Sequence, residues 1–207
     1  MNRHAATGLR ALAGIGEVRA ALQQKDNLCG PFQAARVLRD AGFEVDQDLM
    51  ALTAGTVLPD EPPPASVPPG AVSRRDYRLE LPISSTPEVS GTAAADLAAA
   101  IEEVTAGELR CVPLRGEWRG ETVERLIEGS GGARLIANVR TGHFWGTRPP
   151  LETVLAHLAG GQLDPPSAEW DVGHFGELVS LGHGAAASLV VVCDSYPNFG
   201  WQAPYLQ

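Results

Sequence analysis

Asn27-Leu28-Cys29-Gly30-Pro31-Phe32-Gln33-Ala34-Ala35 is the stretch on which the reading of this 207-residue chain turns. Pro31 lies in the first turn of a predicted helix from about Gly30 to Asp40, where its missing N–H costs little, and Gly42 stands just past the end, where glycine stops helices. Cys29 is thereby placed at a helix N-terminus. A thiol is a useful nucleophile only as thiolate, and a helix N-terminus with a protonated imidazole nearby lowers its pKa from ~8.5 to roughly 3.5–7.5. Six positions ahead, Gln23 offers a side-chain amide that, with the Cys29 backbone N–H, could donate to the oxyanion of a tetrahedral intermediate. Such a donor contributes roughly 2.7–4 kcal/mol. Gln24 is the fallback for that role.

A base and a carboxylate follow far downstream. Gly173-His174-Phe175 opens one apolar segment and Val190-Val191-Val192-Cys193-Asp194 closes the next, predicting strands over Phe175 to Leu181 and Ser188 to Cys193 joined by a glycine-rich turn. If Leu181 faces Ala187 across that turn, His174 stands opposite Asp194, with Cβ atoms ~4.5–5.5 Å apart on one face. A slip of one residue sends the two side chains to opposite faces. In the expected register Asp194 accepts from the imidazole and fixes its tautomer, while the other ring nitrogen faces the sulfur. Alternation then turns Cys193 to the other face as a core residue.

Between these ends the pattern alternates. An amphipathic helix is expected from Ala5 to Leu22, weakened by Gly14 and Gly16. Six prolines between Val57 and Ser73, with Gly70, Asp60 and Glu61, argue against regular structure and predict an extended surface crossing inside one domain that covers residues 1–207. Beyond it come a helix over Thr92 to Ala106, a strand over Leu109 to Leu114 carrying Cys111 into the core, a helix over Glu121 to Glu128, a strand over Ala133 to Val139 and a helix over Leu151 to Leu158. Helices early and an antiparallel sheet late make the class α+β.

Composition narrows the chemistry. A net charge of −9 and 44% hydrophobic residues suit a substantial core, leave no basic footprint for nucleic acid and disfavour an anionic membrane surface. One lysine against fifteen arginines reflects coding composition more simply than selection for arginine chemistry. Three widely spaced cysteines suggest neither a disulfide framework nor a paired zinc motif, so a reducing cytoplasm is expected and no metal or other cofactor is assigned. No stretch approaches the ~20 apolar residues of a membrane span. Peptides or small amides and esters are the expected partners.

His143 is the rival base, because Thr141-Gly142-His143-Phe144 repeats the local pattern around His174. No later strand obviously brings it a carboxylate, so it is placed with Trp145, Trp170 and Gly173 among residues lining a substrate cleft. Gly129 to Gly132 lacks the lysine and hydroxyl of a phosphate loop and reads as a turn.

Taken together, Gln23, Asn27-Leu28-Cys29-Gly30-Pro31, Gly173-His174-Phe175 and Val192-Cys193-Asp194-Ser195-Tyr196-Pro197 resemble the papain-like cysteine peptidases, most closely the bacteriocin-processing C39 and C39-like branch. The likeness covers the two ends of the chain and little of the middle. Leu28 departs from the acidic residue common before the nucleophile, and Ser195 from the proline common after the carboxylate. The resemblance implies a papain-like fold, with N-terminal helices packed on a C-terminal antiparallel sheet, and a Cys29-His174-Asp194 triad assisted by Gln23. It implies a cysteine hydrolase of amide, peptide or ester bonds working through an acyl-enzyme. Transfer of the acyl group to an amine is the alternative, and a non-catalytic binding protein on the same fold is the second.

Overall fold

The apolar spacing after Cys29 gives a helix with one face for a sheet. In the computed structural model, which describes residues 23–61, 63, 66–144, 151–161 and 170–196, helix α1 spans Cys29–Asp40 and buries nearly every residue from Gly30 to Leu38. The predicted helix over 5–22, together with Trp145 and Trp201, lies outside the described residues. Helix α2, Gln47–Thr53, packs beside α1 and is N-capped by Asp46, whose carboxylate accepts the Leu49 N–H at 2.9 Å. No periodic signal announces α2, because Met50 and Ala51 turn inward while Leu49 and Leu52 are exposed, scattering apolar residues around a short helix. Helix α3, Ala94–Val104, adds Leu97, Ala100 and Ile101 to the same core.

Five α-helices are present among the described residues, with α4 over Gly120–Gly129 and α5 over Leu151–Leu158. They accompany a three-stranded antiparallel sheet of β3 (Leu135–Arg140), β4 (Gly173–His183) and β5 (Ser188–Cys193), in the order β3-β4-β5. The class is mixed α+β. None of the helices among the described residues is long and apolar enough to cross a membrane.

The register of β4 against β5 differs from the expected one. Leu181 pairs with Val190 rather than Ala187, and His183 with Ser188, so the connection is tight. Extended unbroken, that outer register would pair Asp194 with Glu177 and leave it on the face opposite His174. Between Leu178 and Ser180 a bulge at Val179 shifts the ladder by one residue, and the inner pairs become Leu178 with Val192 and Glu177 with Cys193. Asp194, one residue past β5, is then level with Gly176. It is a diagonal neighbour of His174 on the same face. The bulge, not a direct opposition, restores the parity.

Glycine is required where chains come closest. A Cβ on Gly30 would stand 3.2 Å from Phe175 Cδ2 and 3.3 Å from Leu97 Cδ2, and one on Gly176 would stand 2.5 Å from Val192 Cγ1. These two positions let α1 settle on β4 and let β5 run in beside it.

Two further expectations are corrected. The segment 109–114 keeps its alternation, with Leu109 and Cys111 partly buried against the helices and Val112 and Leu114 exposed, but it is not a strand. No described strand offers it a ladder, and the Cys111 N–H donates to Glu102 Oε1 at 2.8 Å instead. Cys111 is therefore half-buried rather than core. The proline-rich crossing holds more order than its prolines suggest: Leu58–Pro59 (β1) pairs in parallel with Ile83–Ser84 (β2), and Val67 and Ala71 pack against the cluster of Phe144, Trp170, Val192 and Tyr196.

Candidate active site

The arm carrying the thiol is fixed before the helix begins. Lys25, the only lysine, is buried, with Nζ 2.7 Å from Asp48 Oδ2 and 2.6 Å from the Asp76 carbonyl, while its backbone N–H donates to Gln47 Oε1 at 2.8 Å. Asp26 accepts the Arg74 N–H at 2.9 Å and the Ser73 hydroxyl, and Tyr77 donates to the Asp26 carbonyl at 2.9 Å. Leu28 then takes the N-cap position with no polar cap, buried against Ala51, Leu58 and Leu81. Leu28 thus anchors the helix start by packing.

That uncapped start leaves donors for the sulfur. Pro31 has no N–H, the Leu28 N–H goes to Lys25 O at 3.1 Å, and the Gly30 N–H acts on the Cys29 sulfur to favour its thiolate. Of the helix's first-turn N–H groups, that of Cys29 is left without an acceptor among the described residues.

The sheet supplies the partners. His174, near the start of β4, is 2% exposed, and its Nε2 lies 3.1 Å from Asp194 Oδ2. The other carboxylate oxygen, Oδ1, is taken by the N–H groups of Ser195 at 2.5 Å and Tyr196 at 2.9 Å, an Asx-type turn that aims Oδ2 at the ring. With Nε2 facing Asp194, Nδ1 is the nitrogen left to face the Cys29 thiol, whose pKa His174 lowers. Trp170 closes the back of the imidazole, edge to face at a centroid distance of 5.2 Å, and Tyr196 lies across both rings.

Helix and sheet are locked together under the site by buried charge. Glu177 accepts from Arg36 on α1 and from Arg134, which also reaches Asp40 at 3.0 Å. Arg36 donates to Cys193 Sγ at 2.8 Å, and Gln33 to the Cys193 carbonyl at 3.0 Å. Cys193 is fully buried on the Glu177 face, as strand alternation expects.

Electrostatics favour an ion pair. Burial opposes the thiolate at Cys29, but the hydrogen bond and charge of His174 and the N–H groups of Phe175 and Gly30 outweigh it, so the thiol titrates below its ordinary value of 9.0. Burial likewise opposes the imidazolium, yet Asp194 and Cys29 push His174 up from 6.5 to about 10.

A stability profile follows. Above both 6.5 and the lowered thiol pKa, and up to about 9, the folded pair carries its one proton on His174 and the unfolded pair carries one on sulfur, so stability does not change with pH through these groups. Above 9 the folded state holds the extra proton and stability falls as pH rises through about 10. On the acid side the thiol contribution is lost as pH drops through the folded thiol pKa. Cys29→Ser abolishes the acid-side loss and makes the His174 contribution decline from 6.5 upward. Urea unfolding of both proteins across this range should show their stability difference growing with pH above the folded thiol pKa and up to about 9. A constant difference would contradict the ion pair.

Cys29, His174 and Asp194 are therefore brought together. Gln23 is exposed, its carbonyl accepts from Gln47 and Arg74, and its side-chain amide makes no hydrogen bond among the described residues. Gln24 turns inward and is buried. The backbone of His143 lies in a 3-10 turn after β3, and Gly173 is exposed where β4 begins. Trp170, expected in the cleft, is 2% exposed and supports the imidazole instead. The residues that sequence reasoning missed are Ser195 and Tyr196, whose one visible signal was their place directly after the carboxylate. A large apolar cavity of about 1560 Å³, lined by Leu38, Ile101, Trp118 and Leu189 among others, lies between helices and sheet, and none of the three triad residues lines it.

No curated protein and no solved structure matches the chain. A protein-family model matches it over residues 8–207.

Proposed function

The chain belongs to the family that this model describes, a family of unknown function (DUF6885), and we propose that it is a cysteine-dependent hydrolase of an amide, peptide or ester bond, working on a papain-like frame. The observation that carries this reading is a buried imidazole whose Nε2 lies 3.1 Å from Asp194 Oδ2, electrostatically coupled to a thiol at the start of a helix. A structural core has no need of that arrangement, and burying His174 and Asp194 beside a partly buried thiol is costly unless they are paired.

In the proposed reaction the Cys29 thiolate attacks the substrate carbonyl carbon, and the carbonyl π electrons move to oxygen. The Cys29 N–H and the side-chain amide of Gln23, neither with an acceptor among the described residues, are the donors for that oxyanion. His174 gives its Nδ1 proton to the departing amine or alcohol as the tetrahedral species collapses to a thioester. Water then attacks the thioester, His174 takes its proton, and carboxylic acid and thiol are released. An amine in place of water makes the same protein a transferase.

The test is acyl trapping. On exposure to a panel of activated esters and peptide anilides, the protein is expected to gain one acyl mass on the peptide containing Cys29, lost faster with water or with added amines according to the true acceptor. An adduct on Cys111 alone, or none across the panel, contradicts the proposal.

A further inference from the structure

Ser195 and Gln24 stand behind the His174–Asp194 pair and come from the two arms of the site. Ser195 is fully buried at the end of the sheet; Gln24, five residues ahead of Cys29, is 4% exposed. The Ser195 hydroxyl donates its one proton to Gln24 Oε1, and the same oxygen lies 3.5 Å from His174 Nε2 and 3.4 Å from Asp194 Oδ1. Gln24 Nε2 in turn donates to the Tyr196 hydroxyl at 2.8 Å. A hydroxyl whose proton is spent on Gln24 can offer His174 only a lone pair.

We propose that Ser195 and Gln24 are positioning residues for the Cys29–His174 couple, the glutamine holding the serine so that its lone pair, beside Asp194, receives the Nε2–H and leaves Nδ1 to face the sulfur. This rests on the catalytic reading above. Both neighbours of Nε2 are then acceptors, so the ring's mobile proton is confined to Nδ1. The Gln24–Ser195 bond also ties the segment before α1 to the residue after β5, setting the spacing of thiol and ring. Among the described residues, the titratable groups acting on the His174 charge are Asp194 and Cys29. The proline common at this position in the papain-like pattern that the sequence resembles has neither the hydroxyl nor the N–H that Asp194 Oδ1 accepts at 2.5 Å.

The test needs no substrate. The rate of Cys29 alkylation by iodoacetamide is followed from pH 5 to 10 in the full chain, with the melting temperature of each variant. Ser195→Ala, which keeps the N–H, and Gln24→Leu should each move the acid limb of the profile upward by about one pH unit, about a tenfold slower reaction on that limb. Ser195→Thr should restore the wild-type profile. If the wild-type protein alkylates early and both variants keep its profile, the positioning role is overturned while the catalytic reading stands. If the wild-type thiol itself behaves as an ordinary one, both are overturned. A fall in melting temperature with an unmoved profile marks a structural role and also overturns the proposal.

Discussion

At pH 6, His174→Gln is expected to slow alkylation of Cys29 by roughly a hundredfold. Without the imidazolium, burial is the dominant influence on the thiol and acts to raise its pKa, as it already does in the intact site. A thiol titrating near its ordinary 9.0 is about one-thousandth thiolate at pH 6. The lower intrinsic nucleophilicity of a stabilised thiolate takes back about tenfold of that difference. Glutamine keeps a donor near the sulfur and fills much of the space behind it, so the loss reports charge more than shape. Cys111 supplies an internal standard, because burial and the nearby Glu102 raise its pKa and it does not contact His174. Its rate should be the same in both proteins, which mass measurement of the two peptides reads directly. Equal Cys29 rates in wild type and variant would show that no thiolate–imidazolium pair exists.

Glu177→Ala is expected to cost about 3–5 kcal/mol of stability, the range for breaking a buried pair and leaving its partner uncompensated. Glu177 is 2% exposed and the Arg36 side chain 6%, so water cannot take over the guanidinium. The loss reaches the site as well, because Arg36, Gln33 and Glu177 set α1 on β4 and β5 three turns of helix or less from Cys29. Pairing Glu177→Leu with Arg36→Met should recover most of the stability, since apolar replacements of a buried pair are often neutral or better. Urea unfolding measures both. A loss under about 1 kcal/mol for Glu177→Ala would mean that Arg36 finds solvent or another partner and that the network is incidental.

The legible parts of this fold were those with local signals. Pro31 and Gly42 bracket α1 within a residue of its true start, and the strands around His174 and before Asp194 show in runs of apolar and β-branched residues. Cys29, His174 and Asp194 were legible for the same reason: each sits at the end of an element that the sequence announces. The register was not, because a one-residue bulge at Val179 carries no compositional mark, and the expected face was reached by a different ladder. Nor was the strand over 109–114 distinguishable from an extended segment that alternates in burial without a neighbour to pair with. The roles of Ser195, Gln24 and the Arg36–Glu177 pair lay beyond local reading, since their partners are 141 to 172 residues away.

The account rests on a thiolate and an imidazolium held against each other at neutral pH. The most direct measurement is the pH dependence of Cys29 alkylation in the wild-type protein, with Cys111 read in the same digests. The predicted result is a Cys29 rate that is still level where the Cys111 rate is already falling about tenfold per pH unit, its own decline beginning only well below pH 9. Parallel profiles for the two cysteines, both climbing until about pH 9, would contradict it.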